Sequence, residues 1–162
     1  MTTQRRQRFS RIPVLSRTNR DVEEVLLRVQ PDWKDKWYFP SMTRDGSMPA
    51  MSEMLDMVSE ELSIPRQQLA AKPLPVWTFY QELSYQPSEE AAEYVAKVVD
   101  LSLQSESVPD LEFVSHSGRR YRWVAVSETR LGRTSDGDSV APAVWDILEL
   151  LRTKWSVSIE AG

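Results

Sequence analysis

Zero cysteines and a single histidine in 162 residues leave carboxylates, hydroxyls and basic side chains as the groups able to do chemistry. Thiolate catalysis, disulfides and cysteine-ligated metal centres are excluded, and so are multi-histidine metal sites. A Ser-His-Asp arrangement has one candidate base, His116, in the hairpin-like run Ser115-His116-Ser117-Gly118. No G-x-S-x-G nucleophile elbow accompanies it. Asp136-Gly137-Asp138-Ser139 matches half of a calcium loop but lacks the closing glutamate, so it is read as a polar loop. Trp33, Trp37, Tyr38, Trp77, Phe79 and Tyr80 could form a stacking platform for a base, with Arg28, Lys36 or Arg44 meeting phosphate. Arg28, Trp37 and Arg44 of this set, together with Phe39, are the ligand-binding candidates, although alternation sends only some strand side chains to one face.

Four carboxylates, Glu53, Asp56, Glu60 and Glu61, lie between Met51 and Ile64. At roughly 100° per residue, Met51, Leu55, Val58 and Leu62 make a buried stripe, and Glu53, Asp56 and Glu60 fall nearly opposite as a solvated face. Pro65 ends this helix, and Ser47 is its expected cap. Met48, Met51, Met54 and Met57 serve either as core filler or as an adaptable surface.

The elements that must position these groups read as follows. Phe9–Ser16 is a strand interrupted by Pro13, and Val25–Val29 is a buried strand, with a hairpin turn at Thr18–Asp21. Trp37–Phe39 is a short strand ended by Pro40, and Arg44–Ser47 a turn. Leu74–Ser84 and Tyr94–Leu103 have strand character; Leu111–Ser115 and Arg119–Val126 flank the His116 hairpin. Gly132–Ser139 is a loop, and Pro142–Trp155 a closing helix with Val144, Ile147, Leu148 and Leu151 on its apolar face. The expected class is α+β, a mixed sheet between helices, in one domain over residues 11–155, with a basic arm (1–10) and a tail (156–162).

In order and spacing this chain resembles the Nudix hydrolases. Val25-Leu26-Leu27-Arg28-Val29 followed by Trp33–Pro40 is similar to the family's strand entry ending in W-x-F-P-G-G. Met51–Ile64 is similar to its R-E-U-x-E-E-x-G-U helix, Tyr121–Glu128 to a late strand, and Pro142–Leu148 to the closing helix. The resemblance implies an α/β/α sandwich and a magnesium- or manganese-dependent hydrolase of nucleoside diphosphate derivatives. Laid on this chain, the box puts Met42 at a glycine, Met48 at the first glutamate, Asp56-Met57 at Arg-Glu and Ser63 at the second glycine. Only Glu60 and Glu61 match its paired glutamates, and they are the implied metal and catalytic candidates. A thioether is a poor ligand for hard magnesium.

Two functions follow. One is a hydrolysis-deficient binding domain for a nucleotide-like ligand or a protein partner. The alternative is a divergent pyrophosphohydrolase whose site is completed by Glu106, Glu112 or Glu128. Self-association through a Trp-rich surface and the Arg-rich arm, as a homodimer, is a third expectation. A net charge of −4 argues against nucleic acid as a partner. No apolar run approaches the roughly 18 residues of a membrane span, and the N-terminus lacks the apolar centre of a signal peptide, so a cytoplasmic location is expected.

Overall fold

The computed structural model describes residues 6–30, 36–71, 77–83, 92–103 and 111–161. Trp33 and Glu106 lie outside these residues, as do the side chains of Trp77, Phe79 and Tyr80. Strand β1 (Arg6–Asn19) turns into β2 (Val22–Gln30), with Arg20 and Asp21 at φ 51° and 66°. Positive φ at both central residues is the two-residue hairpin turn whose twist suits antiparallel strands. The pair stays together only over Ser16–Asn19 against Val22–Val25. Beyond that point the two strands fork. β3 (Lys36–Tyr38) adds to β2, and β4 (Met42–Asp45) adds to β1 at Arg8–Arg11.

β1 also runs parallel to β7 (Ala92–Leu103), which carries β5 (Leu69–Ala71) and β6 (Trp77–Leu83) antiparallel to it. On the other side β2 pairs with β9 (Arg120–Ala125), and β9 with the edge strand β8 (Glu112–Val114). The result is a mixed sheet with the path β5-β7-β1-β2-β9-β8, as the expected class requires.

Alternation along the strands divides the core. Leu15, Leu26, Leu101, Tyr121 and Trp123 face helix α1 (Met51–Leu62). Val14, Val25, Leu27, Val98 and Val124 face helix α3 (Pro142–Ala161) through Val144, Ile147 and Leu148. Helix α1 buries Met54, Val58 and Leu62, with Met51 and Leu55 only partly covered, so its stripe is rotated from the expected one. It starts after Ala50 with no side-chain cap; Ser47 is not the cap, because β4 runs on to Asp45 and the helix begins four residues after Ser47.

Three further differences have local causes. Arg6–Ser10, expected within the arm, are strand, held by β4 on one side and β7 on the other. Helix α3 continues to Ala161, beyond the expected end at Trp155, since neither proline nor glycine interrupts residues 143–161. Helix α2 (Val126–Leu131) replaces the end of an expected strand. Its first turn is closed by Glu128, whose Oε1 accepts from the Ala125 N–H at 3.1 Å, and its end by Gly132 at φ 76°. Both signals were in the sequence: an acid three residues into the helix and a glycine just past it.

At the end of α1, Ser63 takes φ 54°, ψ 42°, and its N–H reaches the Glu60 carbonyl at 3.3 Å. A side chain in this left-handed position costs about 1 kcal/mol, which glycine avoids. Ser63→Gly should therefore stabilise the fold by about 0.5 kcal/mol, since glycine's extra unfolded-state entropy offsets part of the relief. Urea unfolding at unchanged slope tests this, and a loss of stability would contradict it.

Candidate functional site

The fork between β1 and β2 leaves a place where α1, β2, β9 and the β8–β9 hairpin converge on Glu61. Arg28 of β2 sits directly opposite Tyr121 of β9 in the ladder, so both side chains project toward α1 from neighbouring strands. The hairpin is closed by the Ser115 N–H to the Arg119 carbonyl at 2.7 Å and by the Gly118 N–H to the Ser115 carbonyl at 2.9 Å. Gly118 has φ +85°, a conformation a side chain would strain. This turn delivers Ser117 and Arg119 to the same place.

Hydroxyl and guanidinium donors surround one carboxylate. The Ser117 hydroxyl donates to Glu61 Oε2 at 2.6 Å, and the Tyr121 hydroxyl to Oε1 at 3.1 Å. Arg28 Nη1 lies 3.8 Å from Oε1 and Arg119 Nε 4.0 Å from it. The Arg28 side chain is 3% exposed and that of Glu61 11%, whereas Arg119 is 51% exposed. At 3.8 Å and an effective dielectric of about 20, Arg28 and Glu61 attract by about 4 kcal/mol, roughly four times the value in bulk water. Arg28 also donates to the Ser41 carbonyl at 3.2 Å, and its buried Nε has no hydrogen-bond partner among the described residues.

The protonation equilibria follow from this packing. Burial alone would push the Glu61 carboxyl up, but hydrogen bonds from Ser117, Ser115 and Tyr121 and the Arg28 charge outweigh it and hold the pKa below 4.5. Burial pushes the Tyr121 phenol up to about 12. Desolvation lowers Arg28, partly offset by Tyr121 and Glu61.

Glu61 closes the deep end of an open cleft of about 630 Å³ lined by Arg28, Met42, Met57, Glu60, Ser117 and Arg119, among others. That volume lies within the range of small-molecule sites. Glu53 and Asp56 also line it, but Glu53 is ion-paired with Arg44 and Asp56 with Arg66 at 3.1 Å.

The structure sorts the candidates from the sequence. Arg28 and Glu61 come together; Glu60 lines the same cleft from an exposed position. Arg44 is committed to Glu53 on the exposed face. Trp37 and Phe39 are 1% and 0% exposed, in the core on the α3 side, and neither lines the cleft, so a stacking role for them does not fit their placement. Trp37 is fixed there by backbone bonds to Ser139 and Ala141, by Asp138 at 3.4 Å from Nε1, and by Arg120 over its ring. Asp136 and Asp138 thus clip a loop to the sheet, Asp136 bonding Arg122 at 2.6 Å. His116 is exposed at the hairpin turn.

The residues that sequence reasoning missed are Ser115, Ser117, Arg119 and Tyr121. A signal existed in the alternation of Arg119, Tyr121 and Trp123, which places all three on the α1 side of the sheet.

A divalent cation would need several convergent oxygens. Glu112 of β8 pairs with Arg120 of β9, and Glu128 caps α2. Met57 packs partly buried against the α1-side core. Among the described residues, no group of three or more aspartate, glutamate or histidine side chains could hold a metal ion. The hydroxyl and guanidinium donors that the described residues place around Glu61 favour an anion and do not fit a hard cation.

This geometry belongs to a known architecture. The chain is similar to the Ap4A hydrolase of C. elegans in a binary complex, with a TM-score of 0.59 at 17% identity, covering 95% of this chain and 98% of that one. A mutT/nudix family protein from Listeria innocua aligns with a TM-score of 0.52 at 13% identity, covering 99% of this chain and 98% of that one. No protein-family model and no curated protein sequence matches. The chain has the Nudix fold, an α/β/α sandwich. Among the described residues, no helix is long and apolar enough to cross a membrane.

Glu61→Gln removes the charge that Arg28 is buried against and should destabilise the protein by about 2–4 kcal/mol. A carboxylate in a repelling metal cluster would give the opposite sign without metal. The folded pKa of Glu61 lies below its unfolded value, so its contribution is complete above about 4.5 and is lost as pH falls through the folded pKa. Denaturant titrations from pH 7 to pH 2 should show the Glu61→Gln deficit shrinking in that window; a deficit independent of pH would contradict the assignment.

Proposed function

We propose that this protein is a Nudix-fold binding domain that does not hydrolyse its ligand efficiently, and that its ligand is a nucleotide-like small molecule received in the cleft above Glu61. The observation that carries the reading is the surround of Glu61. In a metal-dependent hydrolase this side chain would be turned to a cation that activates water. Here its oxygens accept from Ser117 and Tyr121 and adjoin two guanidinium groups. A carboxylate so neutralised, with its pKa depressed, is a weak base and a weak metal ligand. The central position of the helix is Met57, which supplies no oxygen.

The fold likeness to a protein named as an Ap4A hydrolase guides the choice of ligands to test: a dinucleoside polyphosphate and ADP-ribose first. Divergent pyrophosphohydrolase activity is the second reading, favoured by one observation: Glu60 and Glu61 line the same cleft. Purified protein incubated with diadenosine tetraphosphate or ADP-ribose, with magnesium or manganese, should release no product above the Glu61→Gln background. A metal-dependent rate that Glu61→Gln abolishes would reject the binding-domain reading in favour of the second.

A further inference from the structure

The groups around Glu61 are all donors. Two guanidiniums, with hydroxyls of the hairpin and of Tyr121, contributed by β2, β9 and the β8–β9 hairpin, converge on a single pair of oxygens. Such a constellation has the polarity of an anion receptor, because each member favours negative charge at its focus. Arg28 is the most buried of the charged members, 3% exposed, and its buried Nε, beside the cleft that it lines, has no partner among the described residues. Arg119 and Ser117 form an exposed rim on a two-stranded hairpin that glycine closes. Glu53 and Asp56 do not compete for these donors, each having its own arginine.

We infer that the deep end of the cleft is a metal-independent oxyanion site, built for a carboxylate-sized group, whose resident anion is the chain's own Glu61. This rests on the reading that the box does not work through a metal, and goes beyond it by assigning the polarity of the site. Arg28 holds the resident carboxylate from behind. Arg119, at 4.0 Å and half exposed, adds a second positive charge at the rim of the site.

The test is rescue by a small anion. Glu61→Ala vacates the receptor and should be less stable than the natural protein. Added sodium formate, in EDTA and at constant ionic strength against sodium chloride, should restore it. With a formate Kd of about 10 mM, 100 mM formate raises the folded-to-unfolded ratio of Glu61→Ala about tenfold and leaves the natural protein unchanged. No formate-specific gain, or an equal gain in both proteins, overturns the inference. So does stabilisation of Glu61→Ala by magnesium rather than by formate.

Should Glu61→Ala not fold, Arg119→Gln and Glu61→Gln carry the test as a double-mutant cycle, since Arg119 is at the surface. The double variant should lose less stability than the sum of the singles; strict additivity overturns the inference. Hydrolysis of a nucleotide by the natural protein with metal would reject the functional proposal by a separate readout. Absent rescue without hydrolysis rejects the anion receptor alone.

Discussion

A buried guanidinium must have a negative partner, and the position of Arg28 leaves one within reach. It enters the α1 side of the sheet from the middle of β2, where alternation with Leu26 sends it inward. Glu61 answers from the last turn of α1. The pair ties helix to sheet across the fork between β1 and β2, and Tyr121 joins both through its hydroxyl. Taking two charges from water costs several kcal/mol per ion, which the mutual attraction and the hydroxyl donors offset. Removing either partner leaves the other stranded, so the chemistry of the cleft and the seating of α1 share one interaction.

That coupling explains how the Nudix fold of this chain holds a carboxylate among hydrogen-bond donors. The fork, the helix and the hairpin supply convergence; they do not dictate the sign of the charge brought together. With oxygens at the central helical positions the same backbone could gather a cation. With Met57 on the helix and Arg28, Ser117 and Arg119 opposite Glu61, it gathers a carboxylate instead. Two other acidic residues of α1, Glu53 and Asp56, pair with the surface arginines Arg44 and Arg66.

The sheet was largely legible because its strands carry strong patterns. Val25–Val29, Tyr94–Leu103 and the two flanks of the His116 hairpin appear where apolar alternation and turn residues put them. Short edges were less visible: Met42–Asp45 is polar and held by the backbone of β1, a partner more than thirty residues away. The site divided in the same way. Glu60, Glu61 and Arg28 stand out by residue type. Trp37 and Phe39 read either as ligand contacts or as core, and both are buried in the core on the α3 side. Ser117 and Arg119 look like any exposed turn until the register of β8 and β9 sets that turn against α1.

The most direct measurement is calorimetric titration of the purified protein with manganese at neutral pH, with Glu61→Gln alongside. If the Glu61 charge is satisfied from within, the heats at millimolar metal show no saturable site and the two proteins behave alike. A saturable manganese site lost in Glu61→Gln would mean that the carboxylate is available to a cation, and would contradict the account at its centre.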